Sequence, residues 1–335
     1  MYITQETTKS IKIESWEIII SMGGLRMELD NIRHKERKVW LAKFKFIKAE
    51  GFIALLFILP ALVPLMVFWL WPMLYSIYIS ATNWDYMSPE YQIVGFNNYS
   101  TLLHNKAFYE VLKNTAVFSV GTLIPTLIGG LLLALLLNKK LKGMGFFRTI
   151  LFSPWVTPTV AVSIVWSWIF EPRVGLANYI LQTLHLSKLQ WAQSTKWAML
   201  VVIIVTVWKG LGWTMVFYLG ALQKVPKELY EACSIDGGSA LRKFRNVTLP
   251  MISPTSFFLV VITSINALQA YDQIQILTQG GPAGSTRTIL YMYYQSAFEN
   301  FNMGEATAVA TVLVAITIAL SLIQFVGSKK MVHYQ

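Results

Sequence analysis

Charge is scarce in this sequence. Only 13% of its 335 residues are Asp, Glu, Lys or Arg, against 55% that are apolar, and the mean hydropathy is +0.50. That balance excludes a water-soluble enzyme domain and describes a chain whose main solvent is lipid. Sulfur and imidazole are scarce too. The one cysteine, Cys233, cannot close an internal disulfide, and His34, His104, His185 and His333 stand too far apart in sequence for a local metal cluster. No cofactor is announced. No acid lies at the centre of any long apolar stretch, and no paired carboxylates or nucleophile with a base occur there. Those absences argue against a proton- or sodium-driven carrier and against a membrane-embedded enzyme.

What the chain has is length without charge. Six intervals are long enough to cross roughly 30 Å of hydrocarbon, which takes about 20 apolar residues. They run Gly51 to Trp84, Asn114 to Asn138, Thr149 to Phe170, Trp197 to Gln223, Asn246 to Tyr271 and Ala306 to Ser328, and only Lys209 interrupts one of them. With the N-terminus inside, cations gather in residues 1–50, 139–148, 224–245 and 329–330, which become the cytoplasmic side. The opposite side keeps only Lys106, Lys113, Arg173, Lys188, Lys196 and Arg287, so the whole formal charge of +11 is cytoplasmic. Topology and anionic inner-leaflet lipid account for it, and nucleic acid is not an expected partner.

Residues 1–50 form a cytoplasmic anchor. Arg33, Lys35, Arg37, Lys38, Lys43, Lys45 and Lys48 cluster before the first span, and the apolar run Ile18 to Met22 is too short for a signal peptide. Gly23-Gly24 can be encoded as a ribosome-binding sequence, with Leu25-Arg26 as the spacer before Met27. Translation is then expected to begin at Met27, making residues 1–26 an extension without a function. Residues 329–335 are read as a cytoplasmic tail.

Between the fourth and fifth spans lies the cytoplasmic loop 224–250. Pro226 suits the first turn of a helix, and Glu228 and Glu231 follow near its positive end. Gly237-Gly238 can end that helix, a second short one is expected from Ser239 to Arg245, and Leu249-Pro250 is expected to turn the chain back into the membrane. The pair reads as amphipathic, with Leu229, Cys233 and Phe244 as apolar contacts.

This loop resembles the EAA loop of permease subunits in ATP-binding-cassette importers: Glu-Ala-Ala, three residues, Gly, nine residues, Ile, one residue, Leu-Pro. Here Glu231-Ala232-Cys233, Ser234 to Asp236, Gly237, nine residues to Asn246, Val247, Thr248 and Leu249-Pro250 match without a gap. Cys233 and Val247 are small or isosteric replacements. The resemblance implies an all-α membrane protein: six transmembrane helices of the type I importer permease fold, in a domain covering 51–328, with a cytoplasmic coupling helix. It implies coupling roles for Glu231, Ala232, Asp236, Gly237, Leu249 and Pro250. It also implies four partners, namely a second permease, two copies of a cytosolic ATPase, an extracytoplasmic solute-binding protein and the solute, all at a bacterial or archaeal cell membrane. No Walker A lysine follows the glycines of Gly280-Gly281-Pro282-Ala283-Gly284, so ATP and magnesium are expected on the partner ATPase.

The segment Leu277 to Thr288, followed by Tyr294 and Ala297-Phe298, resembles the external loop after the fifth span in the carbohydrate-uptake branch, in the first of its two permeases. Gly280, Gly281, Pro282 and Thr286 are expected to help dock the binding protein. A sugar site needs aromatic faces with hydroxyl or amide groups on one helical face. Thr206, Lys209, Gly210 and Trp213 share such a face, as do Thr263, Asn266, Ala267 and Ala270, with Tyr271 and Asp272 beyond. Thr206, Lys209, Gly210, Trp213, Thr263, Asn266 and Ala267 align with the sugar site of the maltose-system subunit, where Gly210 alone keeps the residue type. Thr and Asn in a span also serve neighbouring helices, and Trp213 also suits packing. Lys209, near mid-bilayer, is expected to face a wet cavity or a carboxylate, because a lysine there otherwise costs about 2.5 to 3.5 kcal/mol. The resemblance implies an oligosaccharide solute, with glycerol-3-phosphate as the alternative.

Overall fold

The computed structural model describes residues 51–139 and 142–331, the last three without side chains; the N-terminal anchor, the expected start at Met27 and the end of the tail lie outside the described residues. Two units meet between Leu74 and Tyr75. The described part of the first belongs to helix α1 (Gly51–Ile79), whose most apolar stretch has no buried residue and which widens into a π turn at Met66–Leu70. A helix that is apolar all round requires lipid or protein on every side.

The second unit carries eleven further described helices: α2 (Asn97–His104), α3 (Lys106–Leu137), α4 (Met144–Val156), α5 (Thr159–Ile169), α6 (Leu176–Thr183), α7 (Ala198–Lys224), α8 (Lys227–Ile235), α9 (Ala240–Leu268), α10 (Asp272–Leu277), α11 (Ile289–Tyr294) and α12 (Met303–Met331). The spans are α1, α3, the α4–α5 pair, α7, α9 and α12. Charge-free intervals understate two of them. Helix α3 starts at Lys106 with Asn105 capping Ala107 N–H at 3.0 Å, and α9 starts at Ala240, since charged side chains at helix ends reach the interface.

Helix α3 buries one face. Phe108, Val111, Thr115, Phe118, Thr122, Thr126, Gly130, Ala134 and Leu137 recur every three or four residues, and that face packs along α7. Small residues there let the backbones approach, as lipid-embedded packing requires. Gly212 of α7 is the tightest case, because a Cβ there would collide with the Leu151 main-chain oxygen of α4.

Two expectations are corrected. The third span is not one straight helix: α4 and α5 meet at 98° across Thr157-Pro158. Pro158 has no N–H to donate and disfavours helical backbone at the residue before it, so Thr157 is extended (φ −73°, ψ 136°). Nor does Leu249-Pro250 turn the chain. Helix α9 runs without interruption from the segment after α8 into the span, through a π turn at Phe244–Thr248 in which Leu249 N–H donates to the Phe244 carbonyl. That register shift just ahead of Pro250 accommodates a residue that cannot donate.

Candidate functional site: a cavity at mid-span and a helix at the cytoplasmic end

Three apolar clusters hold the second unit together, and α7 passes through two of them. Val201, Val202 and Val205 belong to one, with Phe118, Ile274 and Tyr291; Met215, Tyr218, Leu219 and Leu222 belong to another, with Ile252 and Leu259. Between these stretches the α7 sequence turns polar and glycine-rich, and there a cavity of about 470 Å³ opens. Thr206, Lys209, Gly210 and Trp213 of α7 line it, together with Thr263, Asn266 and Ala267 of α9. The eight residues that share the two helical faces, Ala270 included, thus surround one space, and among them are the seven that the family resemblance implies. Gly210 is part of the wall, where an added Cβ would stand 3.1 Å from the Thr126 methyl.

The remaining lining includes Tyr271 and Asp272, which stand just beyond the α9 face, and elements whose part the spacing did not reveal. Helix α3 supplies Thr122 and Thr126, the bent pair supplies Trp155 and Thr159, and the segment after α9 supplies Gln269, Tyr271, Asp272 and Gln273. The signals were present in the sequence: two threonines four apart on a span, and a tryptophan between Pro154 and Pro158.

The polar groups differ in what they have left to offer. Thr206 Oγ1 donates to Val202 O at 2.7 Å, Thr214 Oγ1 to Gly210 O at 3.1 Å and Thr122 Oγ1 to Phe118 O at 2.8 Å. Their hydrogens are spent on the helix, leaving lone pairs that accept from a solute hydroxyl. Thr263 and Asn266 have no hydrogen-bond partner among the described residues, so both donor and acceptor capacity remain. Trp213 stacks on Trp155 with centroids 5.2 Å apart and planes at 26°, which puts a broad aromatic surface in the wall. Lys209 lines the cavity, as Asp272 does, and its Nζ donates to the main-chain oxygens of Trp155 at 3.0 Å and Thr157 at 2.9 Å.

Beyond α7, α8 begins at Lys227, with Pro226 at its N-cap and not inside the first turn as expected. It ends in two hydrogen bonds, Gly238 N–H to Cys233 O at 2.8 Å and Gly237 N–H to Ser234 O at 3.1 Å, with Gly237 at φ +69°. This left-handed stop is the reason for glycine at 237. Glu231, Ala232 and Asp236 are exposed on α8, Leu249 is exposed on α9, and Pro250 is half-buried. The inward contact is Tyr230 in place of the expected Leu229: the Tyr230 hydroxyl lies 3.0 Å from Thr248 Oγ1, whereas Leu229 is 40% exposed. Cys233 and Tyr230 both pack against the apolar cluster that includes Leu219, Leu222 and Val247.

The external loop is tied down. Gly280 and Thr286 are buried, and Thr286 Oγ1 donates to Thr278 Oγ1 at 2.8 Å and Gly281 O at 3.0 Å. Asn114 Nδ2 of α3 donates to Gly284 O at 2.9 Å. Gly281 and Pro282 are half-buried, and the exposed tip is Gln279 and Ala283.

Residues 126–331, which take in α7 to α12 and most of the cavity lining, match the family described as the binding-protein-dependent transport system inner membrane component. The chain belongs to that family. It is 37% identical over 276 residues to the probable ABC transporter permease protein YurN of Bacillus subtilis, covering 81% of this chain and 94% of that one. It is 33% identical over 282 residues to the sn-glycerol-3-phosphate transport system permease protein UgpA of Agrobacterium fabrum, covering 83% and 95%. In fold it is similar to a chain of a bacterial ABC transporter involved in the import of the acidic polysaccharide alginate, with a TM-score of 0.74 over 87% of this chain and 99% of that one, at 24% identity. The protein is therefore an ABC transporter permease, a membrane-embedded transport component and not an enzyme.

Proposed function

We propose that this permease carries a hydroxylated solute, an oligosaccharide, through the mid-span cavity by alternating access. The observation that carries the reading is the cavity lining: stacked tryptophans for C–H faces beside threonine acceptors and the unpartnered Thr263 and Asn266 for hydroxyls. In the assembly we envisage, a second, similar permease completes the pathway, two cytosolic ATPase subunits supply the energy, and an extracytoplasmic solute-binding protein delivers the solute. Both termini are cytoplasmic. Closure of the ATPase dimer pushes on α8, the spans rock outward-facing, and the solute enters from the binding protein, which docks at the external loop around Gly280 to Thr286.

The relatives named as sn-glycerol-3-phosphate permeases favour a second reading, in which a phosphate ester fills the cavity. Equilibrium binding to the cognate solute-binding protein separates the two, followed by uptake into proteoliposomes containing the whole assembly. ATP-dependent uptake of a neutral oligosaccharide is the expected result; uptake of sn-glycerol-3-phosphate alone favours the second reading, and uptake without ATPase subunits contradicts both.

A further inference from the structure

The break in the third span takes away the main-chain donors that a continuous helix would offer to the last carbonyls of α4; Thr157 Oγ1 reaches Ser153 O at 3.1 Å, and the others need partners from elsewhere inside an apolar segment. Thr157 and Pro158 (φ −53°, ψ 133°) are both extended, and α5 restarts at right angles beyond them. Bare carbonyls at this depth are strongly unfavourable, and so is a bare ammonium. The geometry joins the two problems. Lys209 Nζ reaches across from α7 to the oxygens of Trp155 and Thr157, at the negative end of α4, and lies 5.4 Å from the Trp155 ring centroid.

We infer that Lys209 is a positioning residue that pins the bend of α4 and α5, so that Trp155 and Thr159 stand as one wall of the cavity. Its charge is thereby committed to the backbone, and the cavity selects a neutral hydroxylated solute over a phosphate ester. Two of the three ammonium hydrogens are on carbonyls, and the other charged lining group, Asp272, is negative, so the lining carries no net charge. An incoming phosphate would have to draw Lys209 off the break and leave its carbonyls bare. The selectivity half of this inference rests on the cavity being the solute site; the positioning half does not.

The test is a distance across the bend in the complete transporter in lipid nanodiscs. Phe147→Cys on α4 and Trp168→Cys on α5, 53% and 70% exposed, carry spin labels, with Cys233→Ala removing the native thiol. Relative to the otherwise native lysine, Lys209→Met is expected to lengthen and broaden the distance distribution, and Lys209→Arg, which keeps charge and donors, to restore it. An unchanged distribution in Lys209→Met would overturn the positioning role. Lys209→Gln serves if Lys209→Met does not assemble, with the same expected and overturning results. For selectivity, the probe is sn-glycerol-3-phosphate added to the lysine form without other solute. The distribution is expected to stay as it was, and a shift on addition would show the ammonium open to anions and overturn that half. Because the bend is read with no solute present, a wrong assignment of the cavity leaves the first result intact and appears only in the uptake measurement.

Discussion

The cavity and helix α8 are held in opposite ways. Apolar clusters of the chain itself flank the cavity, and the hydroxyls of Thr122, Thr206 and Thr214 and the Lys209 ammonium are tied to main-chain oxygens. Helix α8 has no buried residue; a side-chain hydrogen bond, Tyr230–Thr248, ties it to the next helix, and Ile235 at its end is 87% exposed. The contrast teaches where each gets its shape. The cavity wall is specified within this subunit, whereas α8 presents exposed apolar and acidic surface, which suits the coupling role proposed for it.

Four changes break or sharpen that contrast. The largest effect is expected from Gly212→Val, which drives a side chain into the Leu151 backbone where α4 packs on α7. Overpacking of this kind costs roughly 1–3 kcal/mol or more, and a sharp fall in the thermal midpoint of the purified complex checks it. Gly237→Asp comes next. It places a Cβ at φ +69°, costing on the order of 1–2 kcal/mol at the end of α8 while leaving the cavity alone. ATP hydrolysis in an assembled complex with uptake lost is expected, and normal uptake would contradict the coupling role. Tyr230→Phe removes the one hydroxyl link and is expected to loosen α8 by about 1 kcal/mol, read as faster amide exchange at 227–235 with the cavity segments unchanged.

The smallest effect concerns neither region and serves as their control. Asp85, on the loop after α1, accepts from Ser88 N–H at 2.7 Å, Ser88 Oγ at 2.8 Å and Met87 N–H at 3.2 Å, and these bonds, led by Ser88, hold its carboxyl below the ordinary carboxylate value. A depressed folded value means that the turn's contribution is present above the unfolded value and is lost as pH falls through the folded one. Opening of this turn under acid, followed by exchange of the Ser88 amide, is expected to leave α8 and the cavity untouched.

Much of this arrangement was legible in the sequence. Missing charge marked six spans, and spacing by three and four put Thr206, Lys209, Gly210 and Trp213 on one face. A charge scan is blind to backbone hydrogen bonding, so it passed over Thr157-Pro158, and with it the wall formed by Trp155 and Thr159. Lys209 was expected to face a wet cavity or a carboxylate, and it lines the cavity; its two carbonyl partners were not legible, because they exist only once the third span breaks beside it. Leu249-Pro250 looked like a turn because proline ends helices when it follows them; near the start of a helix, preceded by a π turn, it does not.

The central claim is that α8 is a cytosolic lever gripped by another protein. Ile235→Cys, in a Cys233→Ala background, can be probed with a membrane-impermeant thiol reagent in sealed right-side-out and inside-out vesicles, with and without the ATPase subunits. Labelling in inside-out vesicles alone, suppressed when the ATPase is bound, is the expected result; labelling from the external face, or no protection by the ATPase, would contradict the account.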